Sequence, residues 1–245
     1  MPLMDEFKEE RAEIKNRSFK EKCSYFWDYY KWHVIGGAIG LFVVVSLIHT
    51  ILSQKDTAFY AAFLNIGQSL FSEEYKNEFA SSIGIDTSKE TVYFDIMPLE
   101  LSVMDDATVA TAQKIMVYVS AGDLDVIIAD KAATDHYSYL GTMMDLRDFL
   151  TPEEVKKYEP YFYYMDQTKL QKTNGETNAD LPDYPADPAD PSTMEEPIPV
   201  GIRIDGCKKF SEAHYLPGPT YFTVVTNTSH PDIAHTLLEY IWEEQ

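Results

Sequence analysis

"VIGGAIGLFVVVSLIHTIL", residues 34–52, is a run of 19 residues without Asp, Glu, Lys or Arg. A helix that crosses a bilayer needs about 20 mostly apolar residues, each rising about 1.5 Å. Only Ser46, His49 and Thr50 interrupt the run. A soluble core helix is rarely apolar all the way round for so long. A secretory signal peptide has a short basic lead, about 7–15 apolar residues and a small-residue cleavage site. Here 33 residues precede the run, and "SQKDTAFY" after it offers no such site. Residues 34–53 therefore predict an uncleaved membrane anchor, which divides the chain into a juxtamembrane helix over 1–33 and a large domain over 54–245. Tyr25, Phe26, Trp27, Tyr29, Tyr30 and Trp32 sit where an interfacial aromatic belt is expected.

Charge orients the anchor. Lys15, Arg17, Lys20, Lys22 and Lys31 precede it closely, and only Lys55 follows it closely. Positive flanks stay in the cytoplasm, which predicts a single-pass protein of the cell membrane with its N-terminus inside and residues 54–245 extracellular. Cys23 and Cys207 then lie on opposite sides and cannot pair within one chain. Residues 1–33 hold seven basic and seven acidic side chains, so the net charge of −20 belongs to the remainder. So acidic a domain repels phosphate backbones, which argues against nucleic acid as a partner.

Beyond the anchor, strand and helix patterns alternate. "TAFYAAFLNIG" (residues 57–67) is a near-continuous apolar run of the kind a doubly covered strand shows. Strands are also predicted over 91–97, 124–130, 198–205 and 221–227. Helices are predicted over 72–83, with Ser72 as N-cap and Gly84 as stop, over 105–121 ending at Gly122, and in a short piece through Tyr139 closed by Gly141. Others follow at 152–159 behind the capping box "TPEE", at 207–216, and over the amphipathic "HPDIAHTLLEYIWEE". The expected fold is α/β: one open, mostly parallel five-stranded sheet with helices on both faces, preceded by the transmembrane helix. Residues 165–197, "MDQTKLQKTNGETNADLPDYPADPADPSTMEEP", are polar, acidic and proline-rich, and predict an exposed, dispensable insert.

This order resembles the first lobe of the extracellular solute-binding proteins of Gram-positive bacteria, the type II periplasmic-binding-protein fold. "AFYAAFLNIG", "DLDVIIADKAATDHYSYLGTMMDLRDFLTPEE", "IPVGIRID" and "YFTVVTNTSHPDIAHTLLEYIWE" carry the resemblance over residues 57–164 and 198–245. It implies a non-catalytic domain that binds a small solute. The chain departs from the family where a second lobe would be inserted, since residues 165–197 are too few and too polar to build a core. That departure keeps a second expectation open: a bitopic protein whose outer domain docks a membrane or wall protein.

Motifs for chemistry are sparse. There is no Gly-rich phosphate loop, C-x-x-C, H-E-x-x-H or G-x-S-x-G, so no cofactor, metal or catalytic residue is expected. His230 and His235 are five apart and do not share a helix face. Asp180, Asp183, Asp187 and Asp190 are separated by prolines that favour an extended chain over a cation loop. The aromatic run Tyr158, Tyr161, Phe162, Tyr163 and Tyr164 is expected to pack on the sheet edge. In open α/β sheets ligands bind beyond the carboxyl ends of the strands. That rule selects Asn65, Gly67 and Gln68 after the first strand, Asp130 and Lys131 after the third, and Arg203 with Asp205 after the fourth.

The expected orientation has a direct test. Protease added to intact protoplasts should remove residues 54–245 and spare residues 1–30. Digestion of 1–30 with 54–245 protected would invert the topology.

Overall fold

The computed structural model describes residues 18–53, 55–67, 73–103, 105–170, 187–213, 216 and 218–242. It divides into two compact units, Met1–Gln54 and Lys55–Gln245. In the first, helix α1 (Phe19–Leu52) is continuous. Its segment Tyr30–Leu52 is long and apolar enough to cross a membrane, and none of the most apolar window within it is buried. Phe42 is 73 % exposed and Leu52 80 %. Contiguous apolar surface on this scale marks a face that water does not solvate well.

The second unit is α/β, with one open sheet in the order β2-β1-β3-β6-β5-β4. Its strands are β1 (Asp56–Leu64), β2 (Glu90–Met97), β3 (Val126–Asp130), β4 (Phe162–Asp166), β5 (Pro197–Arg203) and β6 (Thr220–Val224). β1 pairs in parallel with β2 and β3. From there the sheet changes sense: β6 is antiparallel to β3, β5 to β6 and β4 to β5. The sheet is therefore mixed and six-stranded, where a mostly parallel five-stranded one was expected. The reason is connection length. Long crossovers carrying α2 (Glu73–Ser82) and α3 (Asp106–Ala121) return the chain to the same end of the sheet, so β2 and β3 pair in parallel on either side of β1. Between β5 and β6 the chain makes only the short α7 (Lys208–Ala213), and it comes back antiparallel.

β1 explains the layering. Successive side chains point to opposite faces, and both faces of β1 are covered. Phe59, Ala61 and Phe63 join a core with Phe79 of α2, Tyr158 of α6 (Pro152–Tyr158), and Leu237 and Trp242 of α8 (Pro231–Trp242). Tyr60, Ala62 and Leu64 join a second core with Ile115 and Val119 of α3 and Tyr137 of α4 (Lys131–Tyr139). A single turn, α5 (Leu146–Phe149), follows α4. The stop and cap signals are realised locally. Gly122 closes α3 at φ 74°, where a side chain would be strained. Thr151 and Glu154 form the reciprocal capping box of α6.

The sixth strand is the aromatic run. Phe162–Asp166 forms the edge strand β4, and Phe162, Tyr163, Met165 and Asp166 are all buried. The expected insert therefore begins inside a strand, and its ends are ordered, which corrects the expectation of exposure there. The Tyr164 N–H donates to the Pro188 carbonyl at 2.7 Å, and the Gln167 N–H to the Glu196 carbonyl at 2.9 Å. The Asp166 carboxylate, 2 % exposed, accepts from the N–H groups of Thr168, Glu195 and Glu196 and from the Thr168 hydroxyl. Residues 171–186, with Asp180 and Asp183, lie outside the described residues, as do Gln68 and Ser72.

Burial raises the Asp166 carboxyl, but the donors from Glu195, Thr168 and Glu196 outweigh it and hold the pKa below its ordinary value. A depressed folded pKa contributes stability that is complete above the unfolded value, about 3.9, and is lost as pH falls through the folded one. Asp166→Ala should cost about 1–3 kcal/mol at pH 7, because it strands several donors. In urea titrations the gap between variant and wild type should close below about pH 4. A gap of the same size at pH 3 and pH 7 would show that the charge of Asp166 is not what holds the two ends together.

Candidate functional site

The residues selected at the carboxyl ends of the strands come first. Asn65 adopts φ 60°, a left-handed conformation that Asn tolerates better than most residues. Its amide donates to the Leu99 carbonyl at 2.8 Å and to Asp130 Oδ2 at 3.0 Å, and its Oδ1 accepts the Leu99 N–H at 2.8 Å. Asp130 also caps α4 through the Ala133 N–H. Lys131 pairs with Asp135 at 2.7 Å, and the same carboxylate accepts from the Tyr163 hydroxyl. Arg203 forms a two-pronged contact with Asp205 at 2.7 and 2.8 Å, and Asp205 also accepts the Thr220 N–H. Gly67 stands in an isolated bridge position. The structure brings Asn65 to Asp130 and Arg203 to Asp205, each pair holding loop backbone in place. None of these residues lines the groove formed beside α3 at the other end of the parallel strands.

That groove, of about 670 Å³, lies towards the opposite end of the parallel strands. Thr57 and Tyr60 of β1, Tyr93 and Asp95 of β2, and Lys114 and Tyr118 of α3 form its walls, with Gly122, Asp123, Ser229 and His230 at one end. Cross-strand register sets Tyr60 beside Tyr93. The Tyr60 ring meets Tyr118 edge-on at 5.0 Å and lies 5.9 Å from Tyr93. Asp95 gathers the polar groups: Oδ2 accepts from the Tyr60 hydroxyl at 2.8 Å and pairs with Lys114 Nζ at 2.6 Å. Lys114 also lies over the Tyr118 ring, 5.8 Å from its centre. Burial, then the bond to Asp95, pushes the Tyr60 phenol well above its ordinary pKa, so it stays a donor.

The end wall depends on the direction of β6. Because β6 runs antiparallel to β3, with Val224 opposite Val126, the residues after it arrive at the amino ends of β1 and β3. There His230 meets Asp125, which precedes β3 and is wholly buried. Asp125 Oδ2 accepts the Tyr60 N–H at 2.9 Å, and Oδ1 accepts the Thr228 hydroxyl at 2.5 Å. His230 Nδ1 lies 3.1 Å from Oδ1, and the His230 N–H donates to Thr228 Oγ at 3.1 Å. A carboxylate can only accept, so it assigns the proton to Nδ1 and fixes the ring plane. The other ring nitrogen of this one-third exposed side chain is then available for a hydrogen bond. The Ser229 hydroxyl is directed to the Gly122 carbonyl at 3.3 Å.

Sequence reasoning passed over this groove. It placed His230 at a helix start and gave Asp95 and Asp125 no role. One signal was present: an Asp inside a β-rich segment such as "TVYFDIM" is disfavoured unless it has partners. Those partners come from α3 and β1 and are not local in sequence.

Comparison of the chain with protein-family models, with curated proteins and with solved structures finds no match.

The geometry ranks two substitutions. Asp125→Ala orphans the buried Tyr60 N–H and frees the Thr228 loop, at a cost of about 2–3 kcal/mol. His230→Ala removes a partly exposed partner and should cost about 1 kcal/mol or less. Denaturant melts of both variants check the order. Equal losses would show that Asp125 is not the centre of this junction.

Proposed function

We propose that the protein is a single-pass, membrane-anchored binding protein whose outer domain holds a small polar solute in the Tyr60–Tyr93–Tyr118 groove without catalysis. The observation that carries this reading is the groove. Its volume falls within the range of about 300–1,000 Å³ typical of ligand sites, and its aromatic walls converge on a few oriented polar groups. Asp95, Lys114 and His230 offer an acceptor, a cation and an imidazole, and each is already held by a neighbour. Such preorganisation lowers the ordering cost of binding. The likeness of the strand–helix order to the first lobe of extracellular solute-binding proteins supports the same reading. The basic flank before residues 34–53 supports an extracellular placement. The Ser229 hydroxyl, next to the histidine in sequence, is bonded to the Gly122 carbonyl, which favours binding over nucleophilic chemistry.

A second reading, an outer domain that docks a membrane or wall protein, is favoured by one observation. Tyr93 is 51 % exposed on the edge strand β2, so one wall of the groove is open to a large partner.

The two readings separate in a thermal-shift screen of the full chain in detergent micelles against sugars, amino acids and short peptides. A solute at 100 Kd should stabilise by about 2.7 kcal/mol. Tyr93→Ala and Lys114→Ala should each remove most of that gain while leaving the ligand-free Tm within a few degrees. If no solute stabilises the wild type, and a crosslinker placed at Tyr93 captures one defined membrane or wall protein, the docking reading replaces the first.

A further inference from the structure

On the face of the sheet away from the groove, α6 and α8 run close together. The contact is aromatic: Tyr158 and Tyr161 each meet the Trp242 ring edge-on at 4.9 Å, and Phe149 lies 5.7 Å from the His235 ring. This packing fixes the two helices and, with them, three polar side chains. Glu154 comes from the first turn of α6, and His235 and Glu239 come from α8. The i, i+4 spacing puts His235 and Glu239 on one face of α8. His235 Nε2 is 2.7 Å from Glu154 Oε1, and its Nδ1 is 3.8 Å from Glu239 Oε2. One donor atom from each of the three residues lies within 4.8 Å of the other two.

We propose that Glu154, His235 and Glu239 form a binding site for a divalent transition ion of the zinc type, with water completing the coordination. Zinc takes imidazole nitrogen and carboxylate oxygen at about 2.0–2.2 Å, which sets neighbouring donors about 3.3 Å apart in a tetrahedron. The two carboxylates stand at different ring nitrogens, Glu154 at Nε2 and Glu239 at Nδ1. An ion seated between Nε2 and Glu154 Oε1 therefore requires Glu239 to swing round the ring, from a position where one donor atom of each residue already lies within 4.8 Å of the others. Glu239 is free to make that swing, since its side chain is 54 % exposed. Glu154 has no need to move, because its orientation is already set. Its Oε2 accepts the Thr151 N–H at 2.9 Å and the Thr151 hydroxyl at 2.7 Å, which leaves Oε1 directed at His235. A ligating carboxylate held by a hydrogen bond through its other oxygen is the usual outer support of a metal site.

The donor set also selects among ions. Calcium and magnesium favour all-oxygen shells of six or more ligands, whereas one imidazole nitrogen with two carboxylates suits zinc and its neighbours. Two carboxylates match the charge of a divalent ion. A simple His–Glu pair would require only Glu154. The approach of Glu239 to 3.8 Å is too long for a hydrogen bond and brings a second negative charge to the same imidazole. A bound ion would link α6 to α8 across the edge of the core, at a place separate from the groove.

The test uses the full chain in detergent micelles at pH 7, stripped of metal and titrated with Zn²⁺ by calorimetry. Co²⁺ absorption reports the ligand field. Wild type should bind one Zn²⁺ per chain far more tightly than Ca²⁺ or Mg²⁺. His235→Ala and Glu239→Gln should each weaken Zn²⁺ binding by at least about tenfold. Glu239→Gln changes an exposed side chain, so it keeps the test valid if His235→Ala folds poorly. Tyr93→Ala in the groove should leave Zn²⁺ affinity unchanged, which keeps this result independent of the solute-binding reading. Undiminished Zn²⁺ binding in Glu239→Gln, equal affinity for Ca²⁺, or no Zn²⁺ binding by the wild type overturns the site. In the last case the pair Glu154–His235 is a hydrogen-bonded link between the two helices.

Discussion

β1 cannot be wetted on either face. Phe59 and Phe63 point one way, Tyr60 and Leu64 the other, and all four are buried. A strand of this kind commits the chain to layers on both sides, because each uncovered large apolar side chain would forgo about 1.5–3 kcal/mol. α2 and α8 supply one cover, and α3 and α4 the other. Its two parallel neighbours follow from the same demand, since only helix-bearing crossovers bring the chain back over each face. The groove inherits this geometry. Tyr60 is the β1 residue at which the second core opens to solvent, and Tyr93 and Tyr118 are the rings that meet it there.

A buried carboxylate then locks the junction. Asp125 joins the β1 backbone at Tyr60 to the loop after β6 through Thr228 and His230. In a low-dielectric setting an unpaired charge there would be strongly destabilising, so the Tyr60 N–H and the Thr228 hydroxyl anchor it and His230 adds a partly exposed third contact. The consequence for function is positional. An imidazole is held at the end of an aromatic groove by an acidic group that solvent cannot reach. The Asp95–Lys114 pair, partly exposed, contributes little to stability by comparison and is free to exchange its partner for a ligand.

The acidic stretch illustrates how composition misleads at its edges. Its polar and proline content describes the middle of an excursion, while its first residues, Met165 and Asp166, complete β4. A charged residue at the end of a strand reads as loop in isolation. In the fold it is the acceptor that fastens residues 195 and 196 back onto the strand.

Much of this protein was legible locally. The apolar run at 34–52, the doubly covered strand beginning near Thr57, the Gly84 and Gly122 stops and the Thr151–Glu154 capping box are short-range patterns. Each is encoded within a few residues and survives into the structure. Strand direction is not such a pattern, because an apolar five-residue segment looks the same whichever way it runs. The reversal of β6 brought Ser229 and His230 to the amino ends of β1 and β3, away from the end that an all-parallel sheet would favour. The partners in the groove and its end wall, Tyr60 with Asp95 and His230 with Asp125, are 35 and 105 residues apart. So is the meeting of Glu154 with His235 a matter of helix packing, across 81 residues. Periodicity and capping act over single turns and strands, whereas these sites are made by the side chains that long-range burial presses together. That is why only the tertiary structure could decide them.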